Sequence, residues 1–322
     1  MTVRPGSIVQ IAPLKASLSA TLQREYAALV APGGDELLPF LNEHGPDVDI
    51  VMTSGRVGIT AELMDAMPKL RVIINHGVGY EKTDAVTAQE RGIAIAHTPD
   101  VLNDCVADTA VGGLIDVMRG LSSADRFVRR GDWPVEGNFS LARKVSGARV
   151  GILGLGRIGR AIATRLEGFG ADISYHNRRP VDGVAYTYVT SLIELAERVD
   201  VLVVAAAGGP GSVGLVSRDV LQALGSRGFV VNIARGTIVD EQELTRMLVA
   251  GELAGAALDV FAEEPYVPED LLRLNNVVLL PHLASGTVET RAAMERLVLD
   301  NLRQFLADGT LVTPAPPAVP AT

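Results

Sequence analysis

Three polar residues stand at or just beyond the ends of apolar runs in the second half of the chain: Arg235 after GFVVNIA, Glu264 after ALDVFAE and His282 after VVLLP. As a set they suit the reduction of a keto acid. A guanidinium can hold a carboxylate through two parallel hydrogen bonds and polarise the carbonyl beside it. An imidazole can hand a proton to the carbonyl oxygen as charge develops there, and a neighbouring carboxylate fixes the imidazole tautomer and favours its protonated form. Each residue alone has an ordinary reading: Arg235 paired with a surface acid, Glu264 preceding a turn at Pro265, His282 capping or lining a core. Their coincidence at strand ends, behind a glycine motif, favours catalysis. Glu263 stands beside Glu264, so the choice of carboxylate is open by one residue.

The glycine motif lies in residues 147–179, GARVGILGLGRIGRAIATRLEGFGADISYHNRR, which read as strand, turn, helix and second strand. Val150 to Leu153 is a short apolar run of the kind that forms a parallel strand buried on both faces. Gly154, Gly156 and Gly159 then give GxGxxG. The first makes the tight turn, the second lets a pyrophosphate approach the backbone, and the third lets the helix from Arg157 pack closely on the strand. N–H groups at that helix start are ready phosphate ligands. By itself the motif is weak, because glycines also crowd ordinary turns; the strand-turn-helix context points to a dinucleotide.

The second strand ends at Asn177-Arg178-Arg179, about where an acid would bind the ribose 2′-hydroxyl of NAD. A missing carboxylate removes repulsion against a 2′-phosphate, and two guanidinium groups can pair with it. The expected cofactor is therefore NADP, with NADPH preferred over NADH. Two solvated loop arginines are the competing reading.

The elements that must carry these residues follow from the rest of the chain. Its 322 residues suggest about two domains. Before the motif, Ser7 to Ala12, Asp49 to Thr53, Arg71 to Asn75 and Ile93 to His97 read as strands, with helical stretches Leu18 to Val30, Thr60 to Met67 and Lys82 to Arg91 between them. That alternation implies a parallel sheet. NHGVGY at 75–80 is then a loop on its carboxyl edge, where N–H groups can hold a carboxylate; Gly77 and Gly79 serve equally well to make the turn. One long helix is expected from about Asn103 to Arg129, and the weakly periodic RRGDWPVEGNFSLARK after it fits an extended arm, an oligomer contact, or a Trp133 tucked under its own loop. After the motif, strands are expected at Asp200 to Ala206, Gly228 to Ile233, Gly255 to Val260 and Val277 to Leu280. Helices are expected at Glu241 to Ala250 and Thr287 to Ala307, and then a mobile or extended tail, TPAPPAVPAT.

Lys plus Arg number 29 against 38 Asp plus Glu, a net charge of −9 that argues against nucleic acid as a general partner. One cysteine, Cys105, excludes an intramolecular disulfide and an all-cysteine metal site, and suits a reducing cytoplasm. Cys105 reads as a small filler or a reactive thiol, the filler being favoured. MTVRPGSIVQIAPL lacks the pattern of a signal peptide, and no window approaches a membrane span. No metal is expected.

GLGRIG at 154–159, NIARG at 232–236, LDVFAEEP at 258–265 and LLPHLASGTVETR at 279–291, in this order, resemble the D-isomer-specific 2-hydroxyacid dehydrogenases over essentially the whole length. PDVLND, ISYHNRRP and PHLASGTVETR are similar to the branch of NADPH-dependent glyoxylate/hydroxypyruvate reductases and hydroxyphenylpyruvate reductases. The resemblance implies an α/β fold of two doubly wound parallel-sheet domains. A Rossmann cofactor domain (101–285) is inserted in a flavodoxin-like substrate domain (1–100 plus 286–322), with the active site in the cleft. It implies Arg235 as carboxylate binder, Glu264 as partner, His282 as acid/base, and backbone N–H groups of Val78 and Gly79 on the substrate carboxylate. Cofactor contacts are implied for Gly154, Leu155, Gly156, Arg157 and Ile158 in the turn, and for Asn177, Arg178 and Arg179. Others fall on Ala206, Pro210, Ala234 and Ser285, with Val106, Ile233, Asp259, Arg235 and His282 toward the nicotinamide. A homodimer is implied as well. The implied substrates are small 2-keto acids, glyoxylate and hydroxypyruvate first. Alternatives are bulkier 2-keto acids such as hydroxyphenylpyruvate or a 2-ketoaldonate, or a non-catalytic NAD(P)-sensing protein on the same fold. One departure is AAGGP at 206–210, where relatives often show a Cys-Pro-Leu-Thr-Pro type of loop; it bears on cofactor affinity.

Overall fold

The structure is a computed structural model that describes Arg4 and residues 6–317. The expectations about the first residues and the tail fall partly on residues 1–3, 5 and 318–322, which lie outside the described residues. The chain divides into two compact units, residues 1–102 with 287–322, and residues 103–286.

The first unit holds a parallel sheet of β1 (Ile8–Gln10), β2 (Leu29–Val30), β3 (Ile50–Ser54), β4 (Val72–His76) and β5 (Ala94–Ala96), in the order β2-β1-β3-β4-β5. Alternate residues feed two cores. Ile8, Ile50, Met52, Val72 and Ile74 pack with Leu18, Leu22, Val298, Leu302 and Phe305 on one face. Val9, Val51 and Ile73 pack with Leu41, Met64 and Met67 on the other. The long C-terminal helix Val288–Asp308 thus belongs to this unit. Registers Gln10↔Met52, Met52↔Ile74 and Ile74↔Ala96 align the strand ends, so the loop after β4 opens on the same edge as those after β1, β3 and β5.

One expectation for this unit needs correction. The helix read over Leu18 to Val30 is Ala16–Tyr26, ended by Ala27 in the left-handed region (φ 48°), and Leu29–Val30 is the edge strand β2. Apolar residues continue past that break, but Leu18 and Leu22 of the helix pack on one face of the sheet and Leu29 of β2 on the other. The tail is anchored at Thr313 to Ala315: His97 N–H donates to the Thr313 carbonyl (3.2 Å) and Ala315 N–H to that of Ile95 (2.7 Å). The open backbone edge of β5 needs such partners.

The second unit holds a seven-stranded parallel sheet of β6 (Arg149–Leu153), β7 (Asp172–His176), β8 (Thr187–Tyr188), β9 (Val201–Val204), β10 (Phe229–Asn232), β11 (Gly255–Leu258) and β12 (Val277–Leu279), ordered β12-β11-β10-β9-β6-β7-β8. The strands are short apolar runs, and β9, β10 and β11 are buried at every residue. With helices covering both faces, such strands need no polar side. Strand order reverses at β6, the switch point where α/β sheets of this kind bind ligands. Registers place Leu279, Leu258, Asn232, Val204, Leu153 and His176 in one row. Every loop that follows these residues therefore leaves from one edge.

The helix expected over Asn103 to Arg129 is two helices, Asn103–Arg119 and Leu121–Arg129. Gly120 breaks it at φ 65°, and the Asp116 carboxylate takes the N–H and hydroxyl of Ser122, restarting the helix. The stretch after it is no extended arm at its start: Trp133–Glu136 is a helical turn with Trp133 57% exposed, so the ring is not tucked under its loop. Phe139 instead packs edge-on against Phe127. Among the described residues no helix is long and apolar enough to cross a membrane, and no cluster of His, Cys, Asp and Glu could hold a metal.

Candidate functional site

At the switch point the chain turns from β6 into the helix Arg157–Glu167 through Gly154-Leu155-Gly156. A Cβ on Gly154 (φ 97°) would lie 2.5 Å from the backbone nitrogen of Ala206, and one on Gly159 would lie 2.2 Å from the Gly154 carbonyl oxygen. These two glycines let backbone meet backbone. Gly156 is different: a Cβ there meets nothing within 4 Å, and it stands at the helix start with no side-chain cap. Open space over uncapped N–H groups is a cradle for phosphate. Leu155 is buried, and its N–H donates to Asn177 Oδ1 at 2.7 Å, so Asn177 ties the turn to the end of β7. Arg157, Arg178 and Arg179 are exposed and Ile158 is half-buried. Neither Arg178 nor Arg179 has an ion-pair partner among the described residues. Ala206 is half-buried beside Gly154, and Pro210 opens the short 3-10 turn Pro210–Ser212.

Arg235, Glu264 and His282 follow β10, β11 and β12 on this same edge. Gly236 locks the first loop against the second, since a Cβ there would sit 1.9 Å from the Phe261 carbonyl carbon. Gly236→Ala is expected to unfold or grossly destabilise this unit, by more than the 1 to 3 kcal/mol typical of overpacking, as thermal unfolding would register. Glu241 also anchors the second loop by accepting the Ala262 N–H at 2.9 Å, and partial burial holds its carboxyl above the usual range. Arg235 is half-buried, and its guanidinium donates to the Ala234 carbonyl (2.6 Å). Asn232 supports it from beneath, donating to the Arg235 carbonyl and accepting the Ala234 N–H.

His282 Nδ1 lies 2.9 and 2.7 Å from the two oxygens of Glu264. Geometry thereby selects Glu264 over Glu263. A carboxylate only accepts, so Nδ1 carries the hydrogen, and Nε2 is left for other chemistry. The ring is about a quarter exposed. His282 has φ 54°, a conformation that side-chain-bearing residues rarely adopt.

Sequence reasoning placed Asp259 at the nicotinamide and missed a second job. Its carboxylate is 1% exposed and accepts the N–H groups of Leu283 (2.7 Å) and Ala284 (2.9 Å), the two residues after His282. Burial holds this carboxyl above the usual range, with the two N–H groups opposing. An acid inside the apolar run ALDVF was the available signal. Cys105 reinforces the same loop, its thiol donating to the Ala284 carbonyl at 2.8 Å; it is half-buried and free of disulfide. Val106 is buried in the same helix, Ile233 is buried after β10, and Ser285 is half-buried. In the other unit, Val78 and Gly79 are half-buried in the loop after β4.

Residues 111–284 match the family described as D-isomer specific 2-hydroxyacid dehydrogenase, NAD binding domain. The chain belongs to the D-isomer-specific 2-hydroxyacid dehydrogenases. Within that family it is 42% identical over 307 residues to glyoxylate/hydroxypyruvate reductase A of Arabidopsis thaliana, covering 95% of this chain and 98% of that protein. It is 47% identical over 275 residues to hydroxyphenylpyruvate reductase of Plectranthus scutellarioides, covering 85% and 88%. Among solved structures it resembles the NADPH-dependent glyoxylate/hydroxypyruvate reductase of Sinorhizobium meliloti in complex with NADP and malonate. The TM-score is 0.90 at 42% identity, over 96% of each chain. As in a dehydrogenase of this family, both units are doubly wound parallel sheets, the second a Rossmann fold and the first flavodoxin-like in strand order.

Proposed function

We propose that this dehydrogenase is an NADPH-dependent reductase of small 2-keto acids, glyoxylate and hydroxypyruvate first, and that it forms D-2-hydroxy acids. The observation that carries the reading is His282 hydrogen-bonded through Nδ1 to both oxygens of Glu264, on the strand-end edge that also bears the glycine turn. Relatives named for glyoxylate and hydroxypyruvate reduction, and a similar structure solved with NADP, support it.

Residues 103–286 serve as the cofactor unit and residues 1–102 with 287–322 as the substrate unit. The open cradle at Gly156 fits a pyrophosphate, and Arg178 and Arg179, with Asn177 in place of an acid, fit a 2′-phosphate. Bound there, NADPH supplies the hydride for the keto carbon. Arg235 takes the substrate carboxylate bidentately and polarises the carbonyl. His282 gives a proton from Nε2 to the carbonyl oxygen, and Glu264 holds the ring in place through Nδ1. The N–H groups of Val78 and Gly79 bind the carboxylate. Val106, Ile233 and Asp259 line the nicotinamide, and Leu155, Arg157, Ile158, Ala206, Pro210, Ala234 and Ser285 complete the cofactor contacts. Leu121, Val128, Trp133, Val135 and Leu141 expose apolar surface along one segment, which supports a homodimer; sedimentation of wild type against Val135→Asp tests it. A reducing cytoplasm suits Cys105 as a lone thiol.

Steady-state turnover of glyoxylate, hydroxypyruvate and hydroxyphenylpyruvate with NADPH and NADH tests the reading. The Arg178→Ala, Arg179→Ala double variant is expected to lose about 10- to 100-fold of its preference for NADPH, the scale of a lost charged hydrogen bond. Equal use of NADH by the wild type would make the arginines bystanders. Absence of all turnover would favour a sensing role.

A further inference from the structure

The loop after β4 is held by hydrogen bonds to the carbonyl oxygens of Gly77, Val78 and Gly79 and by one from the Gly77 N–H. Asn75, fully buried at the end of β4, donates from Nδ2 to the carbonyls of both Gly77 and Gly79, at 3.0 Å each. The Gly77 carbonyl also accepts the Thr98 N–H (2.9 Å), while Gly77 N–H donates to Thr98 Oγ1 (3.1 Å). His97 Nδ1 stands 3.0 Å from the Val78 carbonyl. A carbonyl only accepts, so this nitrogen carries its hydrogen. The Asn75 orientation is fixed by the same logic: reversed, its amide oxygen would face two carbonyls. Its Oδ1 is left buried without a hydrogen bond, so the side chain carries a cost in order to aim its donors at the loop.

In a trans peptide the carbonyl of one residue and the N–H of the next point in opposite directions. These peptides are trans, the cis bond in the described chain being Glu264–Pro265. With the carbonyls of Gly77, Val78 and Gly79 tied inward, the N–H groups of Val78, Gly79 and Tyr80 face the other way. Among the described residues those N–H groups make no protein hydrogen bond. Successive N–H groups presented together make an anion-binding concavity.

We infer that Asn75 and His97 are positioning residues that hold this loop as a preformed carboxylate site, and thereby set affinity for the acid group of the substrate. The inference rests on the assignment of the Val78 and Gly79 N–H groups to the substrate carboxylate. Both side chains bond to the backbone of the loop, so their loss is expected to weaken carboxylate binding and leave proton transfer alone. Pre-organisation of this kind matters because N–H groups that must first be ordered bind more weakly.

The test compares Asn75→Asp, His97→Phe and His97→Asn with wild type, and uses Val78→Pro and Gly79→Pro to delete the binding N–H groups themselves. Glyoxylate KM and kcat, oxalate inhibition, NADPH dissociation and thermal unfolding are read for each. Asn75→Asp keeps the shape but removes both donors. It is expected to raise glyoxylate KM and the oxalate inhibition constant together by about 10- to 100-fold, with kcat within a few-fold and NADPH binding unchanged. His97→Phe is expected to act in the same direction, and His97→Asn, whose amide nitrogen sits near the place of Nδ1, to restore most of the affinity. Unchanged KM in Asn75→Asp and His97→Phe, with KM raised in either proline variant, overturns the positioning role but keeps the carboxylate assignment. Unchanged KM and oxalate inhibition in both proline variants removes the loop from carboxylate binding, and the positioning role with it. A fall in kcat with KM unchanged, or lower thermal stability without selective loss of oxalate binding, also overturns it.

Discussion

His282→Asn is expected to lower glyoxylate turnover with NADPH about a thousandfold, within the range that general acid catalysis contributes, while NADPH binds as before. Asparagine is the informative replacement for two structural reasons. Its amide nitrogen sits near the place of Nδ1, so the hydrogen bond to Glu264 survives without any group to replace Nε2. It also tolerates the left-handed backbone that His282 adopts at φ 54° better than most residues do. Loop geometry is therefore retained and the transferable proton is lost. NADPH fluorescence titration and single-turnover absorbance decay read the two separately. Turnover within tenfold of wild type would mean that another group supplies the proton, and the assignment of His282 would fall.

How much of this site is legible in the sequence depends on which interactions are local. The strand-turn-helix at 149–167 is written in neighbouring residues, with an apolar run, glycines at fixed offsets and a helical stretch. The strand ends that carry Arg235, Glu264 and His282 are visible because each apolar run stops where a polar residue begins. Their alignment in one row is a matter of register, which follows from parallel pairing once the strands are known. What is not local is harder to see. The choice between Glu263 and Glu264 turns on a loop bent by contacts from Gly236 and Glu241, some twenty residues away. The break at Gly120 is hidden because both helices keep an apolar face, and only the left-handed glycine and the Asp116 cap reveal it. Strand β2 has two residues, too few for any period to register. Asn75 and Asp259 look like interruptions of apolar runs; their partners are backbone atoms, which leave no trace in side-chain patterns.

Asp259→Asn is the prediction that best separates geometry from charge. The carboxylate accepts Leu283 N–H on one oxygen and Ala284 N–H on the other, holding the chain immediately after His282. An amide has one acceptor oxygen, so one of those two N–H groups would face an NH2 group instead. The loss of a hydrogen bond to a charged acceptor costs about 1.5 to 3 kcal/mol. Against this, the variant no longer buries a charge, and burial is the leading influence that holds the Asp259 carboxyl above the usual range. The two effects on global stability oppose, so the midpoint of thermal unfolding is expected to move by only a few degrees. Nothing offsets the local effect. With one clamp gone, the strained backbone at His282 can relax, and the imidazole is no longer fixed over its site. A displacement of about 1 Å in a catalytic group can cost a hundredfold, and kcat is expected to fall by about 10- to 100-fold. A linkage sign follows as well. An acid whose folded-state carboxyl is held above its unfolded value stabilises the fold below the unfolded pKa, and that contribution is lost as pH rises through the folded value. Wild type should therefore gain stability relative to Asp259→Asn as pH is lowered through this range. Full activity in Asp259→Asn would show that the loop holds His282 without this clamp.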